Sequence, residues 1–178
     1  MSAMIRTLTL LVALFLAGCA NFNVPSDYSL AHKNDKGLIV MSLAHSLSSV
    51  IVDYRPVENG KQGDGAFMTG NMQDPMDWDH PKGRLVVAEL PAGKYELYQW
   101  RSEGINVTYT SKIFSIPFTV VGGKATYIGN LFVNIDESTS IYKLEVADKS
   151  ERDLPFLISR YPNIKGSEII KDISRIFH

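Results

Sequence analysis

The sequence predicts a mainly β protein, a β-sandwich of about seven strands with one or two helices at its C-terminal end. The chain has 178 residues, of which 45% are hydrophobic and 21% are charged, and this is the composition of one globular domain with a core. Short β-rich segments separated by turn residues fill most of it. A helical spacing of apolar residues occurs only near the end of the chain.

Seven segments have the strand pattern, and seven short strands are typical of a sandwich. They are residues 37–46, 49–57, 84–90, 94–101, 112–121, 124–136 and 140–147. Alternation is clearest in residues 114–120, where every second residue is apolar. Residues 38–41, Leu-Ile-Val-Met, are apolar at every position, which predicts a strand covered on both faces.

Proline and glycine mark the ends of several strands. Pro117 cannot donate to a ladder, which places its segment at a sheet edge or a bulge. Residues 121–124, Val-Gly-Gly-Lys, predict the tight turn of a hairpin. Pro91 and Gly93 set a turn before Tyr95, whose ring can enter the core while its hydroxyl reaches back to an upstream backbone group. This arrangement is a tyrosine corner.

Two amphipathic stretches follow the last predicted strand. In the first, apolar residues of 154–161 have helical spacing, Asp153 can act as the cap, and Pro155 fits the first turn. The second runs over residues 167–177 and is rich in isoleucine. These helices either pack on the sandwich or offer an apolar face to a partner; the need to cover the sandwich favours packing.

The N-terminus has the features of a secretory signal. Arg6 precedes an apolar stretch over residues 8–16, and the small residues Ala17 and Gly18 come before Cys19. The apolar stretch is about half of the roughly twenty residues that a membrane-spanning helix needs. The segment therefore predicts export rather than a permanent transmembrane anchor.

The motif Leu-Ala-Gly-Cys at residues 16–19 resembles the lipobox of bacterial lipoproteins. The resemblance implies that the signal is removed before Cys19 and that this cysteine receives a diacylglyceryl group, so that the lipid on Cys19 tethers the protein to the membrane. In such lipoproteins an aspartate after the cysteine retains the protein at the inner membrane. Ala20 stands there instead, which implies the outer membrane, on its periplasmic face. The alternative is an ordinary buried cysteine behind an ordinary signal.

The turn of Pro91, Gly93 and Tyr95 is similar to a motif of carboxypeptidase-regulatory-like and transthyretin-like β-sandwich modules of bacterial surface proteins. Residues 123–130 and 151–162 look like the pattern of small outer-membrane lipoproteins with a β-sandwich and a helical tail. The resemblance implies an Ig-like or transthyretin-like sandwich. In these modules the turn motif is structural, so the three residues are expected to matter for folding.

These predictions divide the chain into four parts. Residues 1–18 are the signal peptide, and residues 19–36 are the lipidated cysteine and a flexible tether, because the tether is polar and lacks strand or helix periodicity. Residues 37–147 form the β-sandwich, and residues 148–178 form a helical extension packed on it.

The candidate binding site is the long loop of residues 58–82, because long loops in compact domains are often functional. Its chemistry-bearing side chains are Asp74, Asp77, Trp78, Asp79 and His80. One interpretation is a divalent cation site built from carboxylates and imidazole. The other is a solvated acidic loop in which the tryptophan covers the sandwich edge. The spacing matches neither an EF-hand nor a histidine pair, which favours the second interpretation.

Several function classes lack a signature in the sequence. Lys and Arg number 18 against 19 Asp and Glu, with no two basic residues adjacent, so no nucleic-acid partner is predicted. No phosphate-binding loop or nucleophile elbow is present, so no cofactor and no enzymatic activity are predicted. His45 reads as a hydrogen-bonded structural residue. The strip Tyr95, Tyr98, Trp100 and Tyr109 is either a sugar-stacking platform or, as such aromatics more often are, part of the core.

The resulting expectation is a lipid-anchored periplasmic envelope protein that acts as a non-catalytic binding or structural module. The alternative is an adaptor subunit of an envelope or secretion machine, with an envelope protein as its partner. A metal-dependent enzyme built on residues 58–82 is the third and weakest hypothesis.

Overall fold

Two β-sheets packed face to face and one helix form the domain. The computed structural model describes residues 23–31, 33–57, 64–69, 76–103, 108–136, 141–173 and 176. The strands are β1 (Lys36–His45), β2 (Val50–Pro56), β3 (Gly65–Thr69), β4 (Trp78–Asp79), β5 (Lys82–Pro91), β6 (Gly93–Glu103), β7 (Thr108–Thr110), β8 (Ile116–Val120), β9 (Ala125–Asp136), β10 (Ile141–Ala147) and β11 (Ile169–Lys171). The helix α1 spans Ser150–Arg160.

The first sheet has the order β10-β9-β1-β5-β4, with β11 beside the start of β9. Strand β1 pairs antiparallel with β5 and parallel with β9, so that Val40 lies between Val87 and Tyr127. The second sheet has the order β3-β2-β6-β7, and β8 pairs with the other end of β6. The predicted mainly β sandwich with a C-terminal helix is confirmed. The seven predicted segments are all strands, and the described residues contain four further short ones.

The first sheet is covered on both faces. One face packs on the second sheet, where Ile39 and Met41 of β1 share a core with residues such as Trp100 of β6. The other face packs under α1 through residues such as Leu38 and Val40. Strand β1 is buried at every position after its first, which confirms the prediction from its unbroken apolar run.

A bulge in β6 explains why Tyr95 and Trp100, two residues of the predicted aromatic strip, lie on the same face of the sheet. The register against β2 shifts at this point, with Leu97 opposite Tyr54 and Gln99 opposite Asp53, so Tyr98 is the extra residue. The shift lets both Tyr95 and Trp100 face the core, where they are 3% and 1% exposed. These two rings are core residues and cannot form an exposed stacking platform.

The Val-Gly-Gly-Lys turn is present, but the predicted hairpin is wrong. Gly123 has a φ of 70°, and Lys124 N–H donates to the Val121 carbonyl oxygen at 3.1 Å, so the chain does turn there. The strands it joins belong to different sheets, because β8 pairs with β6 while β9 pairs with β1. Strand β8, which carries the exposed Pro117, pairs on one side only among the described residues, as predicted for an edge.

The C-terminal part differs from the prediction in two ways. Helix α1 begins at Ser150, three residues before the predicted cap, and Pro155 lies inside it rather than in its first turn. Asp148 holds the start of the helix, since its Oδ1 accepts from Ser150 N–H at 2.8 Å. The predicted second helix is wrong: after a short 3₁₀ turn, Ile169–Lys171 pairs parallel with β9. Its β-branched residues favour this pairing, which covers part of the edge of β9.

The tyrosine corner has the geometry that the sequence predicts. The Tyr95 hydroxyl donates to the Pro91 carbonyl oxygen at 3.0 Å, and the ring stacks on Phe118 with centroids 5.5 Å apart. We expect Tyr95→Phe to lower the free energy of unfolding by about 1 kcal/mol, because the buried Tyr95 side chain loses its hydrogen bond to Pro91 while the ring packing remains. Urea unfolding followed by tryptophan fluorescence measures this. Tyr98→Phe, on the same strand, is the control, and an equal loss in both variants would contradict the prediction.

Candidate functional site

The segment before β1 is part of the domain rather than a tether. We call its described residues, 23–31 and 33–35, the N-terminal arm. The Asn23 side-chain amide donates to the Leu85 carbonyl oxygen and its oxygen accepts from Val87 N–H, both at 2.8 Å. Val24 N–H donates to the Val87 carbonyl oxygen at 2.8 Å, and Leu30 is 2% exposed in the core beneath α1. The predicted flexible tether is therefore wrong over these residues, because the arm satisfies the backbone of β5.

One carboxylate holds the other end of the arm. Glu89 on β5 accepts hydrogen bonds from the Tyr28 hydroxyl, from Lys33 Nζ at 3.2 Å and from Lys36 Nζ at 2.8 Å. The hydrogen bonds from Lys36 and Tyr28 lower the pKa of Glu89 from 4.5 to about 2. Burial and the contact with Glu89 raise the pKa of Tyr28 in turn. The arm is thus fastened to β5 at both of its ends.

We expect Glu89→Gln to destabilise the protein in a pH-dependent way. The pKa of Glu89 is lower in the folded protein, so its contribution is complete above pH 4.5 and is lost as the pH falls towards 2. At neutral pH the loss should be about 1 kcal/mol, after allowing for solvent screening of a partly exposed cluster. Urea unfolding at a series of pH values measures it. Exposed Glu145→Gln is the control, and a difference between wild type and Glu89→Gln that persists at pH 2 would contradict the prediction.

The candidate loop residues do not converge on one site. Asp77 uses both carboxylate oxygens within the protein: Oδ2 accepts from Leu85 N–H at 2.6 Å and Oδ1 from Arg160 Nη1 at 2.7 Å. Trp78 packs under α1, with the Arg152 guanidinium 4.1 Å from its ring centroid. Asp79 ends β4 and His80 lies in the turn before β5, and both residues are exposed.

Asp74 lies outside the described residues. Within the part of the chain that the structure describes, no three His, Cys, Asp or Glu side chains are grouped so that they could hold a metal ion.

A buried polar network lies between the first sheet and α1. Asp153 is fully buried, and its Oδ2 accepts from the Ser42 hydroxyl at 2.6 Å and from the Tyr127 hydroxyl at 2.7 Å. Its Oδ1 accepts from Arg152 Nε at 2.7 Å. Asn130 donates to the Ser42 Oγ at 2.8 Å, and Arg152 Nη2 donates to the same oxygen at 3.0 Å.

The network fastens the helix and does not resemble a nucleophile with its base. Ser42 is fully buried, and its one donor and both acceptor positions are occupied by protein groups. Burial and the carboxylate of Asp153 raise the pKa of Tyr127, which keeps this hydroxyl protonated as a donor. The sequence pattern does not predict this network. Its one signal in the sequence is a serine and an asparagine at inward positions of otherwise apolar strands.

His45 is a buried residue at the end of β1. One ring nitrogen, Nδ1, is 2.8 Å from the Leu47 carbonyl oxygen, while Nε2 has no partner among the described residues. Burial lowers the pKa of His45, so the ring is neutral at physiological pH. This agrees with the predicted structural role.

Three surface pockets are lined by residues that the structure describes. One of about 490 Å³ is lined by the start of α1 and Lys171. One of about 470 Å³ lies beside Asn23 and Arg160. The third, of about 260 Å³, is largely apolar and lies along β8, next to Val57, whose exposure is 52%.

Comparisons with known proteins identify no family for this chain. No family model and no curated protein matches it. One solved structure that it resembles is a leucine-rich repeat protein from Bacteroides thetaiotaomicron VPI-5482, at 16% identity and a TM-score of 0.35. The match covers 56% of this chain and 14% of that one. Over the residues that the structure describes, no helix is both long and apolar enough to cross a bilayer.

Proposed function

We propose that the protein is a lipid-anchored envelope protein, held on the periplasmic face of the outer membrane through Cys19, that acts as a non-catalytic binding or structural module. The observation that carries the proposal is the Leu-Ala-Gly-Cys motif at residues 16–19, directly after an apolar stretch of signal-peptide length. Asn23, four residues after Cys19, is already hydrogen-bonded to β5, so the lipid and the domain are neighbours in the chain.

A non-catalytic role is supported by the hydrogen bonds of inward-facing polar side chains. Three inward-facing groups with nucleophilic or acid–base chemistry, Ser42, Asp77 and Asp153, have their oxygens engaged by protein donors and acceptors. Such groups stabilise the domain instead of facing a substrate.

Binding of a protein partner is supported by the surface of the second sheet. The apolar pocket along β8 contains Val57 and Pro117, and Ile113, just before this strand, is 59% exposed. An edge strand beside an apolar pocket is the kind of surface to which an extended segment of another protein binds. This surface also favours the adaptor function, in which the partner is one component of an envelope machine.

The anchor is tested with Cys19→Ser in the full chain, produced in a bacterium that processes lipoproteins. Wild-type protein should fractionate with outer membranes and show the mass of a diacylglyceryl cysteine at its N-terminus. The variant should lose the lipid mass and the membrane association. Unchanged processing and membrane binding of the variant would overturn the proposal.

The binding role is tested by in-cell crosslinking from the β8 surface. A photo-reactive amino acid at Val57 should capture a partner protein that the same group at exposed Ser159, on α1, does not capture. One dominant envelope protein would favour the adaptor function. The same crosslinks from both positions would contradict a role for the β8 pocket.

A further inference from the structure

We infer that the domain sits directly on the bilayer with the pocket beside Asn23 facing the lipid headgroups, and that this pocket binds the phosphate of an anionic lipid. The inference rests on the proposed lipid anchor. It adds to that anchor an orientation of the domain and a second, polar contact with the membrane.

The chain between the lipid and the domain is short. Four residue steps separate Cys19 from Asn23, and an extended chain covers at most about 3.6 Å per residue, so these two Cα atoms are within about 14 Å of each other. Three hydrogen bonds of 2.8 Å fix Asn23 and Val24 to β5. Because the arm is fixed to the sheet, the surface around Asn23 is held next to the membrane.

The surface around Asn23 also has the chemistry of a phosphate-binding site. The pocket has a volume of about 470 Å³, and Asn23 itself lines it together with Ser26, Arg84, Arg160 and Tyr161. No carboxylate is among its described lining residues. Guanidinium groups and hydroxyls are the donors that recognise phosphate oxygens in proteins.

Arg160 is the residue that can reach the headgroup. Its side chain is 36% exposed, and its contact with Asp77 engages Nη1, at 2.7 Å from Oδ1. A guanidinium carries five N–H donors on three nitrogens, so the other two nitrogens can donate to a phosphate while this contact is kept. Asp77 thereby holds Arg160, which lines the pocket, in place.

The pocket at the start of α1 is a weaker candidate for membrane contact. It also contains lysine side chains, but Asp148 and Glu151 line it as well, and they oppose the approach of an anion. The pocket along β8 is lined by Lys94 but also by the carboxylate residue Asp172, and none of its described lining residues belongs to the arm. Of these three pockets, the arm pocket combines proximity to the anchor with a lining that includes two arginines and, among its described residues, no carboxylate residue.

The experiment uses the full-length lipidated protein reconstituted into vesicles of phosphatidylcholine and phosphatidylglycerol. Cys19 is the only cysteine, and lipidation consumes its thiol, so an introduced cysteine takes a fluorophore specifically. One variant carries the label at Asp27→Cys, on the arm, and the matched variant carries it at exposed Lys112→Cys, between β7 and β8. A quencher attached to lipid headgroups reports proximity to the bilayer.

We expect the label at position 27 to be quenched at least twofold more than the label at position 112. Equal quenching of protein that floats with the vesicles would overturn the inference and leave the anchor intact. Protein that does not float with the vesicles at all would instead contradict the proposed anchor. The two failures are therefore distinguishable.

A flexible glycine-serine spacer inserted between Ala20 and Asn21 tests the phosphate contact by itself, because the lipid on Cys19 then no longer holds the domain close to the bilayer. With the spacer, the position-27 label should stay quenched in the mixed vesicles and lose its quenching in pure phosphatidylcholine. Arg160→Gln should abolish the remaining quenching, while Arg160→Lys, which keeps the charge, should retain most of it. If Arg160→Gln does not fold, high salt on the parent spacer protein should have the same effect. If the quenching is the same in both kinds of vesicle, in Arg160→Gln and at high salt, the proposed phosphate contact is wrong.

Discussion

Asp153→Ala will lower the free energy of unfolding by about 3 kcal/mol. The carboxylate is fully buried and accepts hydrogen bonds from Ser42, Tyr127 and Arg152. Its removal leaves two buried hydroxyls without their acceptor, at roughly 1–3 kcal/mol for each unsatisfied group. Breaking a fully buried ion pair costs about 3–5 kcal/mol, but the Arg152 side chain is 38% exposed and water can solvate it, so we take the lower end of this range.

The consequence of this loss should be concentrated at α1. Ser42 and Tyr127 lie in the first sheet, and Arg152 directly precedes Asp153 in α1. Loss of the carboxylate therefore removes hydrogen bonds between the helix and the sheet, and the helix should detach before the sandwich unfolds. Urea unfolding by circular dichroism measures the free energy, and amide hydrogen exchange shows where protection is lost. Asp153→Asn, which keeps the shape, should lose less than Asp153→Ala. Exposed Asp79→Ala is the control, and equal losses in both alanine variants would contradict the role of the network.

Local patterns in the sequence predicted those parts of the fold that depend on neighbours in the chain. The unbroken apolar run of β1 predicted a strand covered on both faces, because burial of successive residues requires cover on both sides. Pro91, Gly93 and Tyr95 predicted the tyrosine corner, whose hydrogen bond spans four residues. These features are encoded within ten residues or fewer, so pattern and turn chemistry identify them.

Features that depend on distant partners were missed for a physical reason. Asn23 has the composition of a linker, and its role becomes visible only where β5, some 62 residues later, offers unpaired backbone groups. Ile169 and Ile170 lie in a stretch whose apolar residues have a spacing compatible with a helix. Residues 169–171 form a strand instead, because they pair with the edge of β9. Asp77 was expected in a solvated loop or a cation site, and its partners Leu85 and Arg160 come from two other elements. A hydrogen bond between a side chain and a distant part of the backbone does not produce a periodic pattern in the sequence, so it cannot be predicted from periodicity.

Strand β1 meets the turn between β8 and β9 at Gly37, and this contact holds the two sheets together at one end of the sandwich. A methyl group on Gly37 would lie 2.2 Å from the Val121 carbonyl oxygen and 2.9 Å from that of Lys124. Both obstacles are backbone atoms, so a side-chain rotation cannot relieve the clash. The turn must therefore move. Its movement would weaken two backbone hydrogen bonds at the same place, from Leu38 N–H to the Lys124 carbonyl oxygen and from Gly123 N–H to the Lys36 carbonyl oxygen.

We therefore expect Gly37→Ala to lower the free energy of unfolding by about 3 kcal/mol, which combines overpacking of roughly 1–3 kcal/mol with weakening of two backbone hydrogen bonds. Urea unfolding followed by tryptophan fluorescence measures the loss. Gly166→Ala is the matched control, because a methyl group there meets no atom within 4 Å, and its effect should stay within about 0.5 kcal/mol. The Glu89 cluster that holds the arm includes Lys36, the residue before Gly37, so faster proteolysis of the arm in Gly37→Ala should accompany the loss. A stable Gly37→Ala protein with an intact arm would show that the turn between the sheets is free to shift.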